Sequence, residues 1–283
     1  MTSQHSRVEP GPRVDPEWLA AHLQDPDLAL LHIGTERAEY ERGHLPGAVW
    51  AHGYDDFTAE RGGVRALVPL AGEIEATLGR LGIDGGKRVV FYASAKSMWP
   101  SRGYWVMRYY RWPRVHIADR ALGALERAGL PLAIAEAKPA PVTCRVGEPD
   151  PSVLATVEDV AAVASGGRGA RVVDCRTDAE WVGESTGAHE APRKGRIPRA
   201  VHLNWEKLVD DDGRFLAPER LRSLYAVAGV DGSIPVFPYC GGGIRSAASW
   251  FAMYEILGWR LARNYDGSWA EWARREDLPV ERG

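Results

Sequence analysis

Cys240 stands at the start of a glycine-rich turn that suits nucleophilic sulfur chemistry. Residues 238–250 read PYCGGGIRSAASW, which predicts a strand ending at Cys240, a three-glycine turn and a helix beginning near residues 244–246. Glycines let successive backbone N–H groups point to one spot, and the start of a helix adds partial positive charge there. A thiol at that spot should ionise readily, and the same donors would stabilise an anionic sulfur intermediate.

Arg245 is the second candidate catalytic residue of this turn. It follows Cys240 by five positions, so its guanidinium group can fold back toward the sulfur or fix the turn. We call residues 240–246 the Cys240 loop. Besides Cys240 and Arg245, its candidates for binding substrate or carried sulfur are Gly241, Gly242, Gly243, Ile244 and Ser246.

The two other cysteines have a less informative context. Three cysteines are too few for a disulfide framework, and in a reducing compartment each would be a thiol. Cys175 lies in a predicted strand next to Asp174 and is expected to be a buried structural thiol. It would be a resolving or auxiliary thiol only if its strand end adjoins the strand of Cys240. Cys144 lies in a proline-rich stretch and is expected to have no role in the chemistry.

The elements that carry these residues occur twice along the chain. The segment LGRLGIDGGKRVVFYA ends at Ala93 and parallels YAVAGVDGSIPVFPYC, which ends at Cys240. The repeat predicts a first domain at 12–132, a linker at 133–155 that includes one short strand, and a second domain at 156–283. Strands and helices alternate in each unit, which predicts an α/β fold with a mostly parallel sheet flanked by helices. The C-terminal ends of such strands usually carry the site.

In the second unit, apolar patterns give specific elements. They predict strands at 170–176, 234–240 and 261–266, and helices at 217–229 and 244–258. A last helix is expected after Gly267, with Asp266 as its cap. A ten-residue insertion at 185–194 has no counterpart in the first unit.

Composition and charge exclude several classes of protein. A net charge of -3 gives no positive field that would recruit nucleic acid or an anionic membrane. Apolar runs are too short for a membrane helix, and the N-terminus lacks the apolar core of a signal peptide, so we expect a cytoplasmic protein. No His/Cys spacing indicates a metal site.

Four motifs together resemble the tandem-domain rhodanese family of thiosulfate and 3-mercaptopyruvate sulfurtransferases. They are GHLPGA with its weaker copy GRIPRA, DCRTDAEWVGE, YCGGGIRS and NYDGSWAEW, and they look closest to bacterial and actinobacterial thiosulfate sulfurtransferases. The resemblance implies two rhodanese-like domains, the second catalytic and the first degenerate, with Ala93 at the nucleophile position. It further implies a Cys240 persulfide and no cofactor. The expected acceptor is a thiol or a sulfur-carrier protein.

The composition of the Cys240 loop leaves the sulfur donor open. It lacks the basic side chains that would hold the outer oxygens of thiosulfate, and it lacks the serine of the mercaptopyruvate pattern. The alternatives for the sulfur donor are therefore thiosulfate, another sulfane compound, 3-mercaptopyruvate, or a protein partner that loads a persulfide relay. A related phosphatase is a weaker alternative, because those enzymes space Cys and Arg one residue further apart.

Basic residues outside the loop could compensate for its missing charge. The candidates for substrate binding or for support of the site are Arg176, Asp174, Lys96 and Arg102; further basic residues lie in or beside the insertion, at Arg193, Lys194 and Arg196. We expect Asp174 to orient Arg176 or the loop backbone. Glu180 and Trp181 are expected to anchor the turn after their strand, and His52, Asp55 and Asp56 to lie near the cleft.

Overall fold

The computed structural model describes residues 9–187 and 191–282, and it consists of two consecutive α/β units. Residues 1–8, 188–190 and 283 lie outside the described residues, so parts of the N-terminal segment and of the predicted insertion are not covered. The first unit contains a parallel sheet in the order β1-β7-β6-β2-β3 and a separate antiparallel hairpin, β4-β5. Its strands are β1 (Arg13–Val14), β2 (Leu28–Gly34), β3 (Val49–His52), β4 (Ala59–Arg61), β5 (Val64–Leu67), β6 (Arg88–Tyr92) and β7 (Val115–Ala118).

Six helices accompany these strands. Two of them begin with clear start signals: Asp15 caps the first helix through the Trp18 N–H group, and prolines occupy early positions of the first and fifth. The helices are α1 (Pro16–His22), α2 (Arg37–Arg42), α3 (Gly53–Phe57), α4 (Ala71–Arg80), α5 (Trp99–Tyr109) and α6 (Leu122–Arg127). Of these, α5 packs against the second unit and is central to the site.

The second unit repeats this arrangement with shorter strands. Its elements are β8 (Leu154–Ala155), α7 (Val157–Ala164), β9 (Arg171–Asp174), α8 (Asp178–Trp181), β10 (Val201–His202), α9 (Pro218–Val227), β11 (Val236–Tyr239), α10 (Arg245–Phe251), β12 (Asn264–Tyr265) and α11 (Ser268–Trp272). Parallel strands run β10-β9-β11, and the parallel pair β12-β8 continues past β11 through a bridge between Val236 and Ala262. The resulting strand order matches that of the first unit.

Two tyrosines mark the structural equivalence of Ala93 and Cys240. Tyr92 ends β6 and its hydroxyl accepts a hydrogen bond from the backbone of Leu45, while Tyr239 ends β11 and accepts one from Ile197. Each equivalent strand therefore delivers its next residue, alanine or cysteine, to the same place in its own unit. The expected mostly parallel α/β architecture is confirmed.

The structure differs from the sequence prediction around the end of the second unit. The single helix expected at 244–258 is α-helical only over α10 and continues as a π-helix at Ala252–Ile256. The strand expected at 261–266 shortens to β12, and β8 of the predicted linker pairs with it. No helix among the described residues is long and apolar enough to cross a membrane.

One hydrophobic core extends through both units. Buried side chains of α5, including Trp105, belong to the same cluster as Trp250 and Phe251 of α10. Tyr104 meets the Phe251 ring edge-on at 4.8 Å between centroids. The first unit therefore packs directly against the second one, so that residues of the first unit can contact the Cys240 loop.

His32 is a fully buried imidazole in β2, and its position predicts acid sensitivity. Its Nε2 lies 2.8 Å from the Ser94 hydroxyl, while Nδ1 has no hydrogen-bond partner among the described residues. Burial, helped by His44, lowers the pKa of His32 to about 4. In the unfolded chain, the His32 imidazole becomes protonated as the pH falls below its ordinary pKa of about 6.5. Stability should therefore fall as pH drops from about 6.5 to 4, by up to about 3 kcal/mol.

The check is urea unfolding of the native protein and of His32→Gln between pH 7.5 and pH 4.5. We expect the stability gap between the two proteins to narrow as the pH falls, because the variant has no imidazole to protonate. His22→Gln is the control, since His22 stacks on Trp18 near the surface. A difference in the free energy of unfolding between native protein and His32→Gln that does not change with pH would contradict the prediction.

Candidate active site

The Cys240 loop is held in place by the start of α11. The backbone N–H groups of Cys240 and Gly243 both donate to the Ser268 hydroxyl oxygen, at 3.0 and 2.9 Å. Ser268 in turn donates to the carbonyl of Tyr265 at 2.8 Å. Its φ of 50° is unusual for a residue with a side chain, and Gly243 has a φ of 72°. This hydroxyl thus ties the first residue of the loop to its middle, a role for Ser268 that could not be predicted from the sequence.

The sulfur of Cys240 lies in a buried position lined by hydrogen-bond donors. The residue is 1% exposed, and the Ser246 hydroxyl donates to Sγ at 3.6 Å. Burial acts to raise the pKa of this thiol. The charge of Arg245, the Ser246 hydroxyl and the N–H groups of Gly242 and Ser246 outweigh burial, so the pKa lies below its ordinary value. The site can therefore hold an anionic sulfur without a solvent shell.

Arg245 is fixed by a buried carboxylate. Its Nη1 and Nη2 atoms donate to the two oxygens of Glu180 at 2.6 and 2.8 Å. Glu180 also closes a capping box with Thr177 at the start of α8. Burial raises the pKa of Glu180, but the hydrogen bonds and charge of Arg245 prevail and lower it to about 2. The bidentate pair sets the guanidinium plane near the sulfur; the sequence analysis gave Glu180 only a structural role in its turn.

Arg176 is not placed to hold a substrate. The side chain is fully buried, and it pairs with both oxygens of Asp174 while Nη2 donates to the Gly195 carbonyl at 2.8 Å. Its guanidinium also lies 4.7 Å from the Trp269 ring. Its use as a substrate-binding charge is therefore corrected: the pair with Asp174 joins β9 to the segment before β10, in line with the orienting role expected of Asp174.

Arg102 reaches from the first unit into the Cys240 loop. The fully buried guanidinium pairs with Asp266 and donates to the carbonyl oxygens of Gly243 at 3.3 Å and of Ala66 at 3.0 Å. Asp266 also accepts from the Val68 N–H group at 2.6 Å. The expectation that Asp266 caps α11 is therefore wrong, because its carboxylate is turned toward the first unit. Arg102 cannot bind substrate, since its donors serve this junction.

The hydrogen bond from Arg102 to the Gly243 carbonyl affects the orientation of the backbone amides in the Cys240 loop. The Gly243 carbonyl accepts from Arg102 on one side and from the Asn264 side chain at 3.1 Å on the other. In a trans peptide the N–H group of the next residue, Ile244, points opposite to that carbonyl. Fixing the carbonyl between these two donors therefore turns the Ile244 N–H group away from Arg102 and Asn264.

Comparisons with known proteins identify the family. The rhodanese-like domain family matches residues 15–126 and 156–275. The chain belongs to the rhodanese-like family. A Thermus thermophilus relative, "Sulfur carrier protein TtuD", is 30% identical over 95% of this chain and 96% of its own length. "Putative thiosulfate sulfurtransferase SseA" of Mycobacterium tuberculosis is 33% identical over 95% of this chain and 90% of its own.

Solved structures agree on the fold of this rhodanese. The SseA structure from Escherichia coli, described under 3-mercaptopyruvate sulfotransferases, is 23% identical with a TM-score of 0.80, covering 92% of this chain and 99% of its own. An anaerobic ergothioneine biosynthesis enzyme from Chlorobium limicola has a TM-score of 0.84 at 20% identity, covering 96% of this chain and 70% of its own. The relatives' names identify this rhodanese as a sulfurtransferase, and the solved structures show its two-domain fold.

The remaining predicted residues of this rhodanese lie at the edges of the site or away from it. Lys96 is partly exposed and faces Asp211 at 3.8 Å, in the loop that follows Ala93. His52 caps α3 through the Asp55 N–H group, and Asp56 pairs with Arg80, so both have structural partners. In the insertion, Arg193 donates to four backbone carbonyls of the C-terminal segment.

One side of the rhodanese cleft comes from the first unit. Tyr54 lies close enough to Cys240 and Arg245 to feel their charges, although burial is the main cause of its raised pKa. It borders a surface cavity of about 490 Å³ that the β4-β5 hairpin also lines; the other lining residues are Asp55, Thr58, Ala59, Glu60, Arg65 and Ala66.

Proposed function

We propose that this sulfurtransferase carries sulfur as a persulfide on Cys240. The proposal rests on the groups that surround the Cys240 sulfur. Arg245, the Ser246 hydroxyl and loop N–H groups lower the pKa of this thiol despite its full burial. A thiolate is the nucleophile in sulfur transfer, and fixed donors stabilise negative charge without rearrangement. The same donors suit the persulfide anion.

The reaction has two half-steps that use only the chain's own residues. In the first, the Cys240 thiolate attacks the outer sulfur of a donor, and the donor's S–S bond breaks. With thiosulfate the electron pair leaves with sulfite. The product is a Cys240 persulfide anion within the Cys240 loop. In the second, an acceptor thiolate or cyanide attacks the outer sulfur, and the electron pair returns to the Cys240 sulfur.

We propose thiosulfate or another small sulfane compound as the donor, with weak binding. Gly241, Gly242 and Gly243 offer no side-chain charge, and the buried arginines Arg176 and Arg102 are already paired. Each missing charge-assisted contact to the donor's oxygens costs about 1.5–3 kcal/mol. Backbone amides and Arg245 would have to hold the anion, so we expect a high KM rather than a low kcat.

A second candidate function is a persulfide relay loaded by a protein partner. The same uncharged loop favours it, because a protein donor would bind through its own surface and need no side chain to hold small-molecule oxygens. The name of the Thermus thermophilus relative, a sulfur carrier protein, is in keeping with it. A thiol or sulfur-carrier protein is the acceptor class that we propose for either route.

The decisive experiment is intact mass spectrometry of the protein before and after thiosulfate, then after 3-mercaptopyruvate. We expect a gain of about one sulfur atom, roughly 32 Da, that cyanide removes. Cys240→Ser should prevent the gain completely, because a hydroxyl at this position cannot form a persulfide. Cys144→Ser is the matched control, as it changes another buried cysteine and should leave the gain intact.

Each result selects among the candidates. A gain with one small donor names that donor. No gain with either, but a gain from a persulfidated protein, selects the relay. A gain that survives in Cys240→Ser would overturn the assignment of the nucleophile. Release of phosphate from an aryl phosphate that depends on Cys240 would replace sulfur transfer by phosphatase chemistry.

A further inference from the structure

Cys175 lies directly beside Cys240 in the second sheet. Strands β9 and β11 pair in parallel with Asp174 opposite Tyr239, and the Cys175 N–H group donates to the Tyr239 carbonyl at 2.9 Å. The ladder therefore continues by one residue and sets Cys175 next to Cys240. Neighbouring strands are about 4.8 Å apart, within the Cα separation of about 4.4–6.8 Å that a disulfide spans.

Both cysteine side chains also lie on the same face of the sheet. Asp174 and Tyr239, one residue earlier, contact each other through the carboxylate and the hydroxyl. Successive side chains of a strand alternate between faces, so Cys175 and Cys240 share the opposite one. Both belong to the hydrophobic cluster on that face, and they are 0% and 1% exposed.

The position of Cys175 differs from that of the groups that would hold transferred sulfur. The donors of Gly242 and Ser246 face the Cys240 sulfur from the loop, whereas Cys175 faces it from the neighbouring strand. An outer sulfur held by the loop would thus leave the inner Cys240 sulfur open to Cys175. The S–H group of Cys175 has an acceptor, the Val173 carbonyl, at 3.6 Å.

We propose that Cys175 is a resolving thiol: in the absence of an acceptor it attacks the Cys240 persulfide, forms a Cys175–Cys240 disulfide and releases hydrosulfide. The inference rests on the proposed Cys240 persulfide. It adds a second outcome for bound sulfur, release as HS⁻, to the transfer reaction. The assignment of Cys175 as a purely structural thiol is replaced by this one.

The step balances without an external oxidant. A bond forms between the Cys175 and Cys240 sulfurs, and the bond between the Cys240 sulfur and the outer sulfur breaks. The electron pair leaves with the outer sulfur, which takes the Cys175 proton and departs as HS⁻. The Cys175 sulfur is oxidised by one electron and the outer sulfur is reduced by one, while the Cys240 sulfur keeps its oxidation state. A dithiol reductant restores both thiols.

The resolving step should be slow compared with transfer to an acceptor. Burial raises the pKa of Cys175 far above its ordinary value, so the group is almost entirely a protonated thiol at neutral pH. Only the thiolate attacks a disulfide-type sulfur efficiently. The persulfide would therefore last long enough to react with an acceptor. Cys175 would resolve it only when no acceptor is present.

The test follows the loaded protein without oxygen and without acceptor. The native chain, Cys175→Ala and the control Cys144→Ala are loaded with thiosulfate or inorganic polysulfide, freed of donor, and sampled for intact mass and released sulfide. We expect native protein and Cys144→Ala to convert to a species about 2 Da lighter than the reduced chain, with one sulfide released per chain. In Cys175→Ala the persulfide half-life should be at least about tenfold longer.

Peptide mapping and a second variant complete the design. A Cys175–Cys240 cross-linked peptide that dithiothreitol cleaves would support the proposal, and Cys175→Ser should behave as Cys175→Ala does. Equal persulfide lifetimes in native protein and both variants, or sulfur found on Cys175 itself, would overturn the resolving role and leave the proposed function standing. If neither donor adds sulfur to Cys240, a persulfidated protein is used for loading; if that also adds none, the proposed function fails and the resolving role fails with it.

Discussion

Arg245→Ala is expected to slow persulfide formation by about 100- to 1,000-fold, the usual cost of removing a fixed donor to a developing anion. Arg245 is the charge that most lowers the Cys240 pKa against burial, and its guanidinium is aligned by the two hydrogen bonds that it donates to Glu180. Its loss should also move the pH dependence of persulfide formation upward, because the thiol would ionise at higher pH.

Two further variants separate charge from position. Lys96→Ala is the control, since Lys96 is partly exposed and faces Asp211, and it should change the rate little. Glu180→Gln keeps the Arg245 charge but weakens its alignment, so we expect an intermediate loss of about tenfold. Single-turnover mass spectrometry measures all three rates, and circular dichroism checks that each variant folds. Equal losses for Arg245→Ala and Lys96→Ala would show that the anion site is misplaced.

Arg102→Met is expected to destabilise the protein by about 3–5 kcal/mol, because it leaves the Asp266 carboxylate buried without its charged partner. Arg102 is fully buried and Asp266 nearly so, and the pair joins α5 to the Cys240 loop. The variant should also lose activity well below its unfolding temperature, since the Gly243 carbonyl loses one of its two donors.

Arg108→Met is the matched control for this variant. Arg108 lies on the same helix, is one-third exposed and pairs with Glu255 at 3.6 Å, so its loss should cost less than about 1 kcal/mol. Adding Asp266→Asn to Arg102→Met should recover part of the stability by removing the uncompensated charge. Urea midpoints for the four proteins measure both effects. If Arg102→Met is no less stable than Arg108→Met, the buried pair does not hold the two units together.

The parts of this molecule that the sequence predicted are those encoded locally. The repeat that aligns Ala93 with Cys240, the alternation of strands and helices, and the strand–glycine turn–helix of the Cys240 loop each lie within one short segment. The α/β fold, the rhodanese-like family and the sulfurtransferase function are confirmed. The roles proposed for Cys240 and its loop stay predictions until their variants are measured.

What the sequence did not reveal depends on contacts between distant segments. Glu180 is 65 positions from Arg245, and Arg102 is 164 positions from Asp266. Nothing in their local sequences marks them as partners. A buried charge needs a partner, but one sequence does not say which of many charges supplies it. The neighbouring position of Cys175 likewise follows from the register of two strands, which is set by the whole sheet.

The contact of Arg102 with Gly243 has a consequence for how such a chain can evolve. After a duplication, the copy without a nucleophile is free to replace its cysteine, and here Ala93 occupies that place. It is not free to disappear, because Arg102 of α5 donates to the Gly243 carbonyl and the Val68 N–H group, just after β5, donates to Asp266 of the other copy. Selection should therefore retain the first unit as structural support for the second one. Substitutions should be tolerated far more readily at Ala93 than at Arg102.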